Sequence, residues 1–483
     1  MNRPFEEAKY KALLNGLEAT ELKLSKLLED NRDLRIDSEL FKKENLRLFE
    51  QLKPISKKLS EYLISGIYGI LPKSEDYTFE GLPLIRGKDI RGISLDLEML
   101  IKVPESYYSA KYQLEKGDIL ILVKGATIGN SDGVSLIQQD FGKAIFNGSV
   151  FRLRLKSINT YFVYAFMTTK FFTFQKLAGV ANNGIEYNSL GTIKDYLIPN
   201  PSESFQLYIE SIIKAAHQKL EQSKALYADA ERLLLEELGL KDWQPSDENV
   251  AVKSFKESFS STGRLDAEYY HPEKQKVLDW LSKMPGMPIH HHFISVNETL
   301  NPLLAPSAQL VQNYDLNDAL QFFLDEKEPA PIYELGSTKN YFKRGDILIS
   351  RLRSYLKEIA IADTEEKSTC VGSSEFIVLR PQSDSVCAEL LLVYLRSTPV
   401  QKILKWCQSG SNHPRFMEED LLAIKLPDRA IAMQHKIQPV IRTAIQSHRD
   451  AKRLLETAKR GVEIAIEEDE AAALRWIDGC LKD

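Results

Sequence analysis

Gly117-Asp118-Ile119-Leu120-Ile121 returns as Gly345-Asp346-Ile347-Leu348-Ile349, 228 positions farther along the chain. In each copy a glycine and an aspartate feed a continuous apolar run, the pattern of a turn entering a buried strand. Ile198-Pro199-Asn200 returns as Leu426-Pro427-Asp428 at the same offset, followed by Gln206 and Gln434, Ile209 and Ile437, and Ala230 and Ala458. Upstream, Arg35-Ile36-Asp37 and Glu39 reappear as Arg264-Leu265-Asp266 and Glu268, offset by 229. Solenoid units repeat every ~20 to 50 residues, so a period this long is a whole domain. The expected architecture is α/β: two repeated globular domains joined by two long antiparallel helices, with pseudo-twofold symmetry inside one chain. Residues 27–238 and 255–466 are expected to fold alike.

The expected divisions are a helical leader at 1–53, a first globular domain at 54–200 and a central helix at 201–240. A linker and second globular domain follow at 241–428, then a distal helix and tail at 429–483. Strands are expected at 119–123 and 150–155, and one aromatic-rich helix at 161–177. Residues 205–238 carry apolar side chains at steps of three and four, among them Phe205, Ile209, Ile213, Leu220, Leu226 and Leu234. Met433, Ile437, Ile441, Ala444, Leu454 and Ala458 repeat the seam. Such spacing predicts two amphipathic helices with a coiled-coil-like stripe, each spanning roughly 50 Å at about 1.5 Å per residue. Asn200 and Asp428 are the candidate N-caps. Leu220, Leu226, Leu234, Ile441 and Leu454 are the candidate partner-binding residues.

The 483 residues are 43% hydrophobic and 27% charged, the balance of an ordinary soluble protein. No run approaches the ~18 apolar residues of a membrane span, and Asn2, Arg3, Pro4, Glu6 and Glu7 do not resemble a signal peptide. A cytoplasmic location without membrane association is therefore expected. Cys370, Cys387, Cys407 and Cys480 never form C-x-x-C, so they read as plain thiols rather than a zinc site or disulfide framework. The formal charge of −5 disfavours nucleic-acid binding over the whole surface, because phosphate contacts call for Lys and Arg. Residues 54–200 nonetheless carry a small excess of Lys and Arg over Asp and Glu.

Catalytic signatures are missing from the sequence. It contains no G-x-x-x-x-G-K-[ST] and no H-E-x-x-H, nor the Asn-Pro-Pro-aromatic tetrad with which amino-methyltransferases hold their target amine. His290-His291-His292 follows Pro288 in an expected loop and has no counterpart in the first copy. Asp37 with Glu39, and Asp266 with Glu268, resemble part of a nuclease metal site, but Phe41 and Tyr270 stand where a lysine would complete it. Because Arg35 and Arg264 flank these acids, a repeated salt bridge is the expected role. No catalytic residue, metal or cofactor is expected.

Polar loop equipment does repeat in position. Lys124, Gly125, Thr127, Gly129 and Asn130 follow the first Gly-Asp strand; Arg351, Arg353, Tyr355 and Lys357 follow the second. Ahead of each Ile/Leu-Pro lies a loop of small residues and amides, with Asn182, Asn183 and Tyr187 in one copy and Asn412, His413 and Arg415 in the other. Arg pairs bidentately with guanine and Asn with adenine. Lys124, Lys143, Asn182, Asn183, Arg351, Arg353, Asn412 and Arg415 are thus the candidate DNA-binding residues. Arg86, Lys88 and Arg91 form a reserve set.

The doubled Gly-Asp-Ile-Leu strand and the doubled passage from Ile198-Pro199 or Leu426-Pro427 to Gln206/Ile209 or Gln434/Ile437 resemble the specificity subunit of type I restriction-modification systems. The resemblance spans nearly the whole chain. It implies two target recognition domains, each reading one half of a split, asymmetric site in double-stranded DNA. It also implies a helical spacer that docks two methyltransferase subunits, to which nuclease/translocase subunits are added. The subunit itself would be non-catalytic. Two other readings compete: a nuclease or methyltransferase fragment built on Asp37 and Glu39, and a scaffold that joins two proteins through its helices without touching DNA.

Burying a leucine is worth ~1.5 to 3 kcal/mol, so Leu226→Asp is expected to part the helices or weaken methyltransferase assembly. Unchanged stability and unchanged complex formation would mean that the seam lies elsewhere.

Overall fold

The computed structural model describes residues 6–17, 20–25, 41–78, 80–90, 92–93, 95, 100–125, 128–129, 133–139, 142–181, 187–244 and 248–482. The chain divides into two compact units, Met1–Leu220 with Arg449–Asp483, and Glu221–His448. The division runs through both long helices and not at their ends.

Unit 1 opens with α1 (Glu7–Leu14) and α2 (Lys43–Leu52). The second of these is more than a leader, because Leu48 and Leu52 are buried in the core. Four strands, β2 (Leu63–Tyr68), β5 (Ile119–Leu122), β6 (Val134–Leu136) and β8 (Val150–Leu155), form an antiparallel sheet in the order β2-β8-β5-β6. A smaller sheet joins β3 (Leu82–Ile85), β4 (Lys102–Val103) and β7 (Ile145–Phe146), with β3 and β7 parallel. The pair β1 (Ser56–Lys58) and β11 (Leu197–Pro199) closes the unit, and the short β9 (Val180–Ala181) and β10 (Tyr187–Asn188) form a hairpin. The expected helix at 161–177 is two helices, α3 (Thr160–Met167) and α4 (Lys170–Ala178). The hydroxyls of Thr168 and Thr169 donate to the carbonyls of Ala165 and Phe166 at the break between them, the local bonding by which threonine competes with helix continuation.

The uninterrupted apolar run of β5 follows from its position between two layers. Ile119 and Ile121 enter a core with Phe162, Val163 and Phe166 of α3. Leu120 points the other way, into a core with Ile85, Phe146 and Leu114. A strand covered on both faces has no solvent side on which to place polar residues. The same burial overrides the alternation of β8, where Arg152 lies inside and donates to Gln113 O (2.7 Å) and Ser65 Oγ (2.8 Å).

Unit 2 repeats these pairings. Its antiparallel sheet has the order β13-β21-β18-β19, from β13 (Phe293–Ser295), β18 (Ile347–Ser350), β19 (Ile359–Ile361) and β21 (Phe376–Pro381). Ile347 and Ile349 face one core and Leu348 another. The closing pair is β12 (Gly286–Pro288) with β22 (Lys425–Pro427). The second sheet is larger, with β14 (Thr299–Leu300), β15 (Leu310–Tyr314), β16 (Ala330–Pro331), β17 (Lys339–Tyr341) and β20 (Thr369–Ser373) in the order β14-β17-β20-β15-β16. In unit 1, α5 (Leu190–Asp195) leads into β11 and α6 (Glu203–Glu237) follows it. Unit 2 contains α7 (Pro272–Ser282), α8 (Ala388–Arg396), α9 (Thr398–Cys407), α10 (Glu418–Leu422) and α11 (Asp428–Ala432), then reaches α12 (Gln434–Glu467).

Each Gly-Asp pair does the same work. Gly117 and Gly345 hold φ of 93° and 89°, a left-handed conformation that favours glycine. Asp118 and Asp346 are each 1% exposed. Asp118 accepts from Arg154 Nε (2.8 Å) and Nη2 (2.9 Å) and from the amide of Glu115 (2.8 Å). Asp346 accepts from Arg380 Nε and Nη2 (both 2.7 Å) and from the amide of Lys343 (2.8 Å). The repeated glutamines are equally specific: Gln206 and Gln434 accept from the amides of Asn159 and Cys387 (3.1 and 3.0 Å), the residues that open α3 and α8.

Asn200 and Asp428 are not the caps of the long helices. β11 and β22 extend through Pro199 and Pro427, so the chain is still extended there. α6 begins at Glu203 with Ser202 Oγ accepting from Phe205 N (3.3 Å), while Asp428 begins α11. Within unit 1, Ile209 approaches Gly461, and Lys219 pairs with Asp450 (3.5 Å), so the two helices run antiparallel. Within unit 2, Ala230, Leu234 and Leu238 share a core with Met433, Ile437 and Ile441, and Glu237 pairs with Arg429 (3.0 Å). Leu234 and Ile441 have no exposed surface. Their expected role as partner contacts is therefore corrected: they hold the helices onto the unit. Leu220 and Leu454 pack half-buried against the unit 1 core, and Leu226 is half-buried outside the core clusters. Aspartate at Leu234 is the more damaging substitution. The tail folds as α13 (Glu470–Lys482), burying Ala473 and Ile477 in unit 1.

Breaking a buried ion pair by removing one partner strands the other charge, so Asp118→Ala and Asp346→Ala should each lower unfolding free energy by about 3 kcal/mol. Gly345→Ala meets no neighbouring atom but forces a left-handed alanine, a loss of about 1 to 2 kcal/mol. Urea titrations of the three variants against wild type measure both effects.

Candidate nucleic-acid interface

At the end of each Gly-Asp strand, three chain segments are tied by backbone hydrogen bonds. In unit 1, Val123 N donates to Ser149 O (3.0 Å), Val123 O accepts from Asn188 N (3.0 Å), and Lys124 bridges to Tyr187. In unit 2, Arg351 N donates to Glu375 O (3.1 Å), Arg351 O accepts from Phe416 N (3.2 Å), and Leu352 bridges to Arg415. The loop after the strand, the turn before the next strand and the hairpin after the helix pair thus meet in matching registers. Main-chain bonds fix this junction, so its side chains are free to differ.

In unit 2 the junction gathers three guanidinium groups. Arg351 Nε donates to Glu375 Oε2 (3.0 Å), and Arg415 Nη2 donates to Glu375 Oε1 (2.6 Å). The guanidinium of Arg415, reinforced by that of Arg351, holds the Glu375 carboxyl below the usual glutamate range. Arg353 Nη2 lies 3.1 Å from His413 Nδ1. The side chains of Arg351 and Arg415 remain 45% and 42% exposed, and Asn412 and Tyr355 are exposed beside them. Arg353 and Lys357 take left-handed φ of 50° and 53°, conformations uncommon for residues with a Cβ. The Arg353 amide is held by Pro414 O (2.9 Å). Four candidate residues, Arg351, Arg353, Asn412 and Arg415, therefore share one surface. Glu375, which organises two of them, was not singled out from sequence: a lone glutamate ahead of a strand carries no signal.

Unit 1 brings fewer candidates together. Lys124 is half-buried at the junction beside the partly exposed Tyr187. Lys143 instead pairs with Glu105 (3.2 Å) and lies over the Tyr108 ring. Asn182 and Asn183 lie outside the described residues, as do Thr127, Asn130 and Arg91. In the reserve set, Arg86 pairs with Asp89 (2.9 Å). Gly87 sits so close to Leu122 that an added Cβ would fall 2.6 Å from its side chain, which puts the Arg86–Lys88 turn against the end of β5. Ser149 was another missed component, since it contributes only its carbonyl.

Of the two acid pairs, Asp266 is held by an arginine and Glu268 is exposed. Arg264 donates to both oxygens of Asp266 (2.8 and 2.5 Å), whereas Asp37 and Glu39 lie outside the described residues. His290 Nδ1 lies 3.1 Å from Leu422 O. Among the described residues, no three His, Cys, Asp or Glu side chains are grouped to hold a metal, and no helix is long and apolar enough to cross a membrane.

No protein-family model matches the chain, and no curated protein does. Among solved structures it is similar to the S subunit of a type I restriction-modification system from M. genitalium, at 14% identity over 85% of this chain and 94% of that one, with a TM-score of 0.37. It is also similar to a chain from a structure concerned with complex assembly and conformational transition of the type I R-M system (14% identity, 86% and 97% covered, TM-score 0.28). A third similarity is to the HsdS subunit from Thermoanaerobacter tengcongensis (14% identity, 86% and 98% covered, TM-score 0.29).

A carboxyl held below its ordinary value stabilises the fold above about pH 4.3 and loses that contribution as pH falls through its folded value. Glu375→Gln should therefore cost about 1 kcal/mol at pH 7, and the gap from wild type should narrow below about pH 4. Urea midpoints of the two proteins at pH 7 and pH 3.5 measure it; a gap that widens on acidification would contradict the pairing.

Proposed function

We propose that this chain is the DNA-sequence specificity subunit of a type I restriction-modification complex, with no chemistry of its own. Each unit reads one half of a bipartite, asymmetric duplex site. The observation that carries this reading is the junction at the end of each Gly-Asp strand: one backbone arrangement presents Lys124 and Tyr187 in unit 1 but Leu352 and Arg415 in unit 2. A frame that is kept while its partly exposed side chains change suits two readers of different sequences. The arginine cluster supplies what such a surface needs, since Arg is the commonest bidentate partner of guanine, and exposed cations anchor phosphates. The repeated motifs support the same assignment.

In this reading, the exposed faces of α6 and α12 dock two methyltransferase subunits, and nuclease/translocase subunits join through them. The interior faces cannot serve, because Leu234 and Ile441 are buried. The competing reading is a scaffold that joins two proteins and leaves DNA alone; salt-insensitive behaviour toward duplex DNA would favour it. Methylome sequencing of a host expressing this chain with its cognate methyltransferase should return a two-part motif.

Arg351→Ala should cost ~1 to 3 kcal/mol and relax specificity at one position of one half-site only. Lys124→Ala should weaken all sequences alike and reduce the salt slope by about one. Binding-selection profiles of wild type and both variants, each assembled with the methyltransferase, distinguish these outcomes. Identical affinities and motifs in all three would mean that the junction faces solvent and that reading occurs elsewhere.

A further inference from the structure

We propose that the Leu303-Leu304 turn of unit 2 is an apolar wedge that enters the DNA duplex beside the arginine cluster, opening a base step within the half-site read by that unit. The inference rests on the DNA-reading role proposed above. Leu303 and Leu304 are 91% and 84% exposed. They are held outward by a defined turn: the Leu303 amide donates to Asn301 Oδ1 and the Leu304 amide to Asn301 O (both 3.1 Å). Beyond them, Ala305 packs back against the core of Leu300, Val311, Ile332, Leu335 and Val371. Anchors on both sides leave the two leucines as the protruding pair.

Sheet register puts this turn at the arginine end of the unit. Leu300 of β14 lies opposite Lys339 of β17, and Lys339 lies opposite Ser373 of β20, both pairings antiparallel. β14 and β20 therefore run in the same direction and leave the sheet at the same edge. β14 leaves into the leucine turn and β20 into Ser374-Glu375, the anchor of Arg351 and Arg415. Two strand spacings, roughly 10 Å, separate Leu300 from Ser373. Residues 299–314 hold no charged side chain, although more than a quarter of the chain is charged. An uncharged apolar tip beside exposed arginines matches a duplex, whose phosphates meet the cations while leucine slips between bases. Inserted leucines of this kind unstack a step and kink the helix.

The test uses the full chain and a duplex carrying its selected site, with fluorophores at both ends to report bending. Wild type should bind and shorten the end-to-end distance. Leu303→Ser/Leu304→Ser should bind at least about tenfold more weakly, the equivalent of losing one buried leucine, and leave the duplex straight. Its salt slope should be unchanged, because no phosphate contact is lost. A double variant that bends and binds like wild type overturns the wedge, as does weaker binding with the bend intact, which would indicate contact with a thymine methyl. Loss of methyltransferase assembly with normal DNA binding also overturns it, in favour of a protein contact. Failure of wild type to bind any duplex would instead remove the DNA-reading role itself, while loss of binding in Arg351→Ala beside a normal double variant would keep that role and remove the wedge.

Discussion

A buried aspartate that must be neutralised in place governs the frame of each unit. Asp118 and Asp346 lie at the foot of the central strand with almost no exposed surface, where an unpaired carboxylate would be costly. Arg154 and Arg380, reaching across from the adjacent strand, supply two parallel hydrogen bonds each. The planar fork of arginine fits a carboxylate in one orientation. That geometry fixes the stagger of β5 on β8 and of β18 on β21, and a sheet slipped by one residue would turn its apolar set toward the wrong layer. The preceding glycine bends the chain so that the same carboxylate also receives the turn amide. Net stability from such a pair is small, because desolvation offsets attraction; its contribution is to register.

With register fixed at the foot of the strand, its far end is also fixed. There the three-segment junction closes through main-chain bonds. The exposed side chains there consequently sit on a scaffold that backbone bonds hold in the same register in both units. Arg351 and Arg415 share Glu375 and stay nearly half exposed, so they are preorganised toward solvent and not folded down against the unit. Among the described residues, the second sheet of unit 2 has five strands where that of unit 1 has three, and the extra strands carry the exposed leucine turn to the arginine end.

The long helices belong to the folding of each unit as much as to any assembly. Phe205, Ile209 and Ile213 complete the core of unit 1, and Ala230, Leu234 and Leu238 that of unit 2. Gln206 and Gln434 reach back to the residues that open α3 and α8. Helix and domain therefore form together, which is why the compact units cut across α6 and α12 instead of ending where they begin.

Much of this was legible from the residues alone. The glycine needed for a left-handed turn, the aspartate at the strand entry, the apolar run covered on both sides and the three- and four-residue helical steps are local requirements, and they recur at a constant offset because each answers the same physical demand. The boundaries of β8 and the existence of both long helices were readable for this reason. What only the tertiary structure decided are the contacts between distant segments. The partnership of Asp118 with Arg154, the burial of Arg152, the break at Thr168-Thr169, the inward turn of Leu234 and Ile441 and the gathering of Arg351 and Arg415 around Glu375 depend on which surfaces meet. A periodic stripe tells how a helix is amphipathic but not what covers it, and a lone glutamate becomes part of a site only when the fold brings arginines to it.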